Sequence, residues 1–177
     1  RWIWKTWAWE TALDQLREEL DEEAQRQSLQ QPQGNRPPRL MDVLLRPSTM
    51  IFEPIWTLIP SNKAILPVLW EMFPEHPYLL ESHFSLTAGL RERGYVSKPI
   101  AGRCGYNISV VGAEQEVMTE TAGQFENQRH IFQELWALPV IGNYRTQVST
   151  FSAGGVYAGA CARVDNSLII TTDSDLR

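Results

Sequence analysis

The segment KPIAGRCG at Lys98–Gly105 holds the residues best suited to chemistry. A lysine on a short β-type run leads to an arginine in a glycine-flanked loop, with Gly102 and Gly105 bracketing Arg103 and Cys104. Glycine lets the backbone turn tightly and approach a ligand without a Cβ in the way. Two cations a short reach apart suit a polyanion, of which a nucleotide phosphate chain is the common case. The pattern is neither a Walker A loop nor a dinucleotide fingerprint. Arg103 is the strongest single candidate, because a guanidinium fork in a tight loop can follow charge developing on a reacting phosphoryl or tetrahedral group.

Other residues gain meaning beside this segment. Lys63 sits in PSNKAILP, ahead of a helix entered at Pro67, with Ser61 and Asn62 as candidate caps. A lysine there adds its charge to exposed backbone N–H groups, although a solvated surface lysine is the default reading. Lys98 precedes Pro99 between Tyr95 and Ile100, a setting less like a solvated face. Cys104 invites a nucleophile reading, but no histidine lies in its segment to act as base, and a small buried thiol is the simpler account. Asp173 and Asp175 could hold a metal or a cationic amine, with a merely solvated carboxylate near the chain end as the default reading.

Composition narrows the class. The chain has 177 residues, 43% apolar and 21% charged, with a net charge of −5. That is an ordinary balance for a globular domain, and it disfavours nucleic-acid binding through bulk charge. No apolar run approaches a membrane span and no signal peptide is visible, so the expectation is a cytoplasmic protein without membrane partners. Cys104 and Cys161 with His76, His83 and His130 show no metal-ligand spacing.

The elements that must position these residues follow from patterning. Trp9, Leu13, Leu16 and Leu20 predict a first amphipathic helix, which gives way to a mobile Gln- and Pro-rich loop at Ala24–Arg39. Val43–Leu45 and Met50–Phe52 read as a strand with its approach. Pro67–Phe73 reads as a helix burying Leu69, Trp70 and Phe73. Tyr95–Ile100 and Ile108–Val111 read as strands around the Arg103 loop, and Phe125–Trp136 as a helix. From Tyr144 onward, YRTQVSTF, VYAGACARV and LIITT predict an antiparallel meander. Mixed elements without βαβ alternation favour an α+β fold. Four of the seven Trp fall in the first nine residues, which reads as core or interface and as the C-terminal part of a longer polypeptide.

The segments WKTWAWETALDQ, PSNKAILPVLWEMFP, KPIAGRCG, FQELWALP and GGVYAGACARVDNSLIITTDSD together resemble the glutathionylspermidine synthase family, and most closely its stand-alone acid–amine ligases. The resemblance runs over nearly the whole chain, Arg1–Arg177, outside the loop. It implies an ATP-grasp fold and an ATP- and Mg2+-dependent ligase that joins a carboxylate to an amine through an acyl phosphate. By matching motif, Lys63 and Lys98 would contact the nucleotide phosphates and Arg103 would stabilise the transition state. The backbone at Cys104 and Gly105 would lie against ATP. Gln133, Glu134, Leu135 and Trp136 would form the adenine hinge, Gln147 a further contact, and Leu168, Ile169 and Ile170 the wall of the base. Thr11 would reach a thiol-peptide substrate such as glutathione, and Asp175 an amine such as a polyamine. The implied magnesium ligands lie upstream of these residues, so the resemblance implies that this stretch alone does not turn over. The family's defined synthases carry a lysine pair where this chain has Thr171-Thr172. The competing reading is an inactive ATP-grasp module that binds without catalysis.

Overall fold

The computed structural model describes residues 1–29 and 38–177, which divide into two compact units, Arg1–Ser61 and Asn62–Arg177. In the first unit, β1 (Trp2–Trp4) pairs in parallel with β2 (Met50–Phe52), and between them lie α1 (Trp9–Ser28) and α2 (Leu40–Leu44). A 3-10 turn at Ile55–Thr57 and α3 (Leu58–Ser61) close the unit. Trp9, Ala12, Met41 and Leu44 form its core, with Ile3, Leu13, Leu16 and Ile51 packed around them. Thus Val43–Leu45, expected as a strand approach, lies largely in α2, where Met41 and Leu44 share the buried side at helical spacing.

The first helix is longer than its apolar stripe. Leu20 is already exposed, yet α1 continues to Ser28, into the stretch expected as loop. Good helix formers carry it. So do the Arg26–Glu22 pair at 3.0 Å and Arg39, whose guanidinium reaches Glu19 at 3.2 Å and Glu23 at 2.5 Å. The rest of the expected loop, 30–37, lies outside the described residues.

A buried ammonium fixes the entry to α1. Lys5 is 3% exposed and donates to Glu53 Oε2 at 2.6 Å and to the Trp7 carbonyl. The same nitrogen lies 5.1 Å from the ring centroids of both Trp7 and Trp9, a cation–π arrangement. Trp9 Nε1 donates to the Glu53 carbonyl at 2.9 Å. These tryptophans therefore belong to the core, whereas Trp2 and Trp4 are exposed.

The second unit opens with α4 (Ile65–Met72), followed by β3 (Ser82–His83) and α5 (Ala88–Arg93). Then come β4 (Tyr95–Pro99), β5 (Ser109–Val111), β6 (Val117–Glu120) and β7 (His130–Glu134). These strands make an antiparallel five-stranded sheet ordered β3-β7-β4-β5-β6. After it, β8 (Val140–Ile141), β9 (Tyr144–Ala153), β10 (Val156–Asp165) and β11 (Asp175–Leu176) form an antiparallel meander ordered β11-β10-β9-β8. The architecture is α+β, as expected.

Three expectations are corrected here. Phe125–Trp136 is not helical, because its centre is β7, held between β3 and β4 with Ile131 and Gln133 buried in alternation. LIITT is not a strand. Ser167 N–H donates to Asp165 Oδ1 at 2.7 Å and Thr171 N–H to Ser174 Oγ at 2.8 Å, so side-chain acceptors take the groups a ladder would need. The last strand is instead Asp175–Leu176. In α4, Pro67 is the buried residue and Phe73, expected inside, is exposed.

Replacing Glu53 with Gln removes the carboxylate but keeps its shape. This is expected to lower the unfolding free energy of the first unit by about 1–3 kcal/mol, read by tryptophan fluorescence in a denaturant titration. An unchanged midpoint would show that the pair contributes nothing.

Candidate functional site

The site grows from the end of β4. Register pairs Lys98 with Ile131 and Val96 with both Gln133 and Val110, so Lys98 stands on the face of the sheet that carries the buried Ile131, Gln133 and Val110. Beyond Pro99 the chain is pinned by Ile100, whose N–H donates to the Arg129 carbonyl at 2.8 Å. The Ile100 carbonyl accepts from Lys63 N–H, also at 2.8 Å, which ties the approach to α4 to the end of β4. Lys63 Nζ then donates to the Gly102 carbonyl at 2.5 Å. A Cβ on Gly102 would sit 3.0 Å from Pro99 Cγ and 3.6 Å from that ammonium, so glycine permits the close approach.

The loop that follows is tightly set. Tyr106 N–H donates to the Arg103 carbonyl at 3.1 Å, with Cys104 and Gly105 in left-handed conformation at φ 58° and 74°. Thr121 Oγ1 donates to the Gly105 carbonyl at 2.5 Å and Phe125 N–H to Asn107 Oδ1 at 2.9 Å. Arg103 itself is exposed, and among the described residues its guanidinium makes no hydrogen bond. The turn at Ile169–Thr171 packs directly on this loop: a Cβ on Gly105 would come within 2.6 Å of the Ile170 carbonyl. The structure thus brings Cys104 and Gly105 beside Ile169 and Ile170, two of the three residues expected to line a nucleotide base.

Electrostatics sets the character of the site. Lys98 Nζ donates to Gln133 Oε1 at 2.6 Å, a neutral acceptor that leaves the ammonium charge uncancelled. Burial, and secondarily the positive charge of Lys63, lower its pKa from 10.5 to about 8. An anion placed beside the two lysines would offset both effects through its opposite charge.

Other expected residues are placed less closely. Glu134 N–H is engaged with the Glu81 carbonyl at 2.8 Å, which leaves Leu135 and the exposed Trp136, past the strand end, as the freer part of the expected hinge. Gln147 is exposed on β9, opposite Arg163. Leu168 is half-buried just before the Ile169–Thr171 turn. Asp175 is exposed on β11, with Arg177 Nη2 at 3.6 Å. Thr11 belongs to the other unit, exposed near the start of α1. Cys104 gains no histidine: His83 faces Glu81 at 3.1 Å, His130 faces Ser97 at 2.8 Å, and His76 accepts from Tyr78 N–H.

Sequence reading missed Arg163. Half-buried on β10, it donates to the Thr171 carbonyl and adds a permanent cation behind the turn that packs on Gly105. A cation inside the otherwise small and apolar run VYAGACARV is the signal that marks it.

A family model described as glutathionylspermidine synthase preATP-grasp matches residues 35–176. The chain belongs to the glutathionylspermidine synthase family. It is 50% identical over 174 residues to the bifunctional glutathionylspermidine synthetase/amidase of Escherichia coli (strain K12), covering 98% of this chain. It is 37% identical to the trypanothione synthetase of Crithidia fasciculata over 97% of the chain. Identity to an acid–amine ligase of Haemophilus influenzae is 28% over 71% of the chain. The matched regions span 28%, 26% and 34% of those relatives' lengths, respectively. Among the described residues no helix is long and apolar enough to cross a membrane.

The depressed pKa of Lys98 has a consequence for stability in this family member. The unfolded chain keeps its proton up to about pH 10.5 and the folded one only to about 8. Between these values the unfolded state binds more protons, so this group's contribution to stability rises with pH. Below pH 8 the cost of the buried charge is fully present. From about pH 7 to about 10, the wild type is expected to gain about 2 kcal/mol relative to Lys98→Met in denaturant titrations. Parallel curves would refute the burial of this charge.

Proposed function

We propose that this chain carries the phosphate-binding and transition-state corner of an ATP-dependent carboxylate–amine ligase with an ATP-grasp fold. The observation that carries the reading is the convergence of Lys63, a charge-strained Lys98 and the Arg103 loop at the end of β4, in a member of this family. ATP would lie with its phosphates against Lys63 and Lys98, the backbone of Cys104–Gly105 beneath them, and its base toward Leu135–Trp136 and Leu168–Ile170, with Gln147 as a further contact.

In the reaction so proposed, a carboxylate oxygen of the acid attacks the γ-phosphorus. The bond to the β-bridging oxygen breaks, giving ADP and an acyl phosphate. The amine nitrogen then attacks the acyl carbon, loses a proton, and expels inorganic phosphate to leave an amide. Arg103, exposed and permanently charged, would follow the transferring phosphoryl and the tetrahedral oxyanion. The acid is proposed to be a thiol peptide such as glutathione near Thr11, and the amine a polyamine-like cation near Asp175. Magnesium is expected of the reaction, but the residues here do not fit it, since among those described no three His, Cys, Asp or Glu are grouped to hold a metal ion. No step is therefore assigned to a metal held by this chain.

Two measurements on the full-length protein test the proposal. Arg103→Ala is expected to keep nucleotide affinity within about threefold and to lower acid- and amine-dependent ADP release by about a hundredfold or more. Full activity in that variant would refute the assignment of Arg103. Separately, binding of a non-hydrolysable ATP analogue at about pH 8.5 should take up a proton as Lys98 recharges, seen as a binding enthalpy that varies with buffer ionisation. Lys98→Met should abolish the uptake, and an identical uptake in the variant would place the proton elsewhere.

A further inference from the structure

Lys98 is one end of a polar relay that crosses three strands inside the sheet. Its ammonium donates to Gln133 Oε1 at 2.6 Å, and Gln133 Nε2 donates to Ser82 Oγ at 3.0 Å. Ser82 Oγ in turn donates to the Leu80 carbonyl at 2.9 Å. Gln133 and Ser82 are 6% and 1% exposed, so neither is satisfied by bulk water. Register sets them side by side, with Ser82 opposite Gln133 across β3–β7 and Gln133 opposite Val96, two residues before Lys98 on β4.

The direction of every bond is forced from the far end. A main-chain carbonyl can only accept, so the hydroxyl proton of Ser82 goes to Leu80 and its oxygen is left to accept. That oxygen takes an N–H of the Gln133 amide, which turns the amide oxygen toward Lys98. The relay thus offers the ammonium an acceptor whose orientation cannot drift. A glutamate at 133 would make an ion pair, holding the proton on Lys98 more tightly and cancelling its field at a phosphate. A neutral amide holds the ammonium in place and leaves the charge available.

We propose that Gln133 and Ser82 are positioning residues for Lys98, fixing its ammonium beside Lys63 with a neutral, oriented acceptor so that its whole charge acts on the bound phosphate. This rests on the phosphate-binding reading above and assigns the Gln133 side chain a role separate from the hinge expected of its main chain. Lys63 is the charged group that acts on Lys98 from the α4 side, and Gln133 and Ser82 on β7 and β3 carry none.

The test reads Lys98 directly. In the full-length protein, lysines are acylated with a trace of acetic anhydride from about pH 7 to about 10, and the extent at Lys98 is resolved by peptide mass spectrometry. Affinity for a non-hydrolysable ATP analogue is measured alongside. In Gln133→Glu the labelling midpoint of Lys98 is expected to rise and nucleotide affinity to fall about tenfold or more. In Ser82→Ala the amide loses the partner that fixes its plane, so its oxygen is held less firmly at the ammonium, the midpoint falls and affinity drops by about threefold or more. Wild-type midpoints and affinities in both variants, with Lys98→Met losing affinity, would overturn the relay while leaving the phosphate reading intact. Wild-type affinity in Lys98→Met would overturn the phosphate reading itself. If Gln133→Glu fails to fold, Ser82→Ala decides alone, since it removes a single oxygen.

Discussion

An ammonium carried onto the buried face of a sheet must find an acceptor, surrender its proton, or wait for an anion. Lys98 uses the first two in part, and the proposed phosphate would supply the third. Its acceptor is neutral, its pKa is drawn down to about 8, and Lys63 adds a like charge nearby. What keeps this unfavourable pair together is the backbone. Ile100 donates to Arg129 and accepts from Lys63, so the sheet ladder and the approach to α4 are sewn together at the residue that precedes the Arg103 loop. Their backbones cannot separate without breaking main-chain bonds, and Gln133 and the Gly102 carbonyl hold the ammonium ends. This is preorganisation in its plain sense, with the cost of assembling the charges met in folding rather than in binding.

The loop beyond it follows a related logic with conformation in place of charge. Cys104 adopts a left-handed backbone that costs a non-glycine residue about 1–2 kcal/mol, and Gly105 continues it without that cost. The gain is a backbone that turns within four residues, Arg103 to Tyr106, and leaves Arg103 on the outside. Packing against Ile169–Thr171 holds the turn, because the space a Gly105 Cβ would need is already filled by the Ile170 carbonyl. A buried or paired guanidinium could not track a moving charge. One on a rigid loop with its head in solvent can.

How much of this could be read beforehand depends on which force shaped each part. The strand at Tyr95–Pro99 and the tight loop after it were legible because a β-type run and flanking glycines are local signals. The meander from Tyr144 was legible because β-type runs and Gly154-Gly155 mark it. Phe125–Trp136 was misread because Ile131, Phe132 and Leu135 satisfy a helical spacing as well as a strand, and only the partners β3 and β4, distant in sequence, decide between them. The end of α1 was misread for the opposite reason: beyond Leu20 no apolar stripe remains, and ion pairs to Arg39 and within the helix sustain it. Arg163 and the Gln133 side chain escaped notice because their partners, Thr171 and Ser82, are fixed only by tertiary register.

The same distinction between backbone and side chain bears on Thr171-Thr172, where the family resemblance implies a lysine pair. The bonds that shape the turn at Thr171 are mainly main-chain ones: its carbonyl accepts from Arg163 and its N–H donates to Ser174 Oγ at 2.8 Å. Ser174 Oγ is itself bound to Asp165 Oδ2 at 2.6 Å, and this bond is the leading cause of the lowered pKa of that carboxyl. A lysine at 171 would forfeit the long 3.3 Å bond from Asp173 N–H to Thr171 Oγ1 and the Cγ2 methyl that packs toward Gly105. The main-chain bonds of the turn, and the Ile170 carbonyl against Gly105, are open to either residue. What the threonines change is charge: they leave the turn without that lysine pair, with Arg163 as a cation behind it. The departure thus removes charge from the turn, while the main-chain bonds that set the turn against the Arg103 loop do not depend on it.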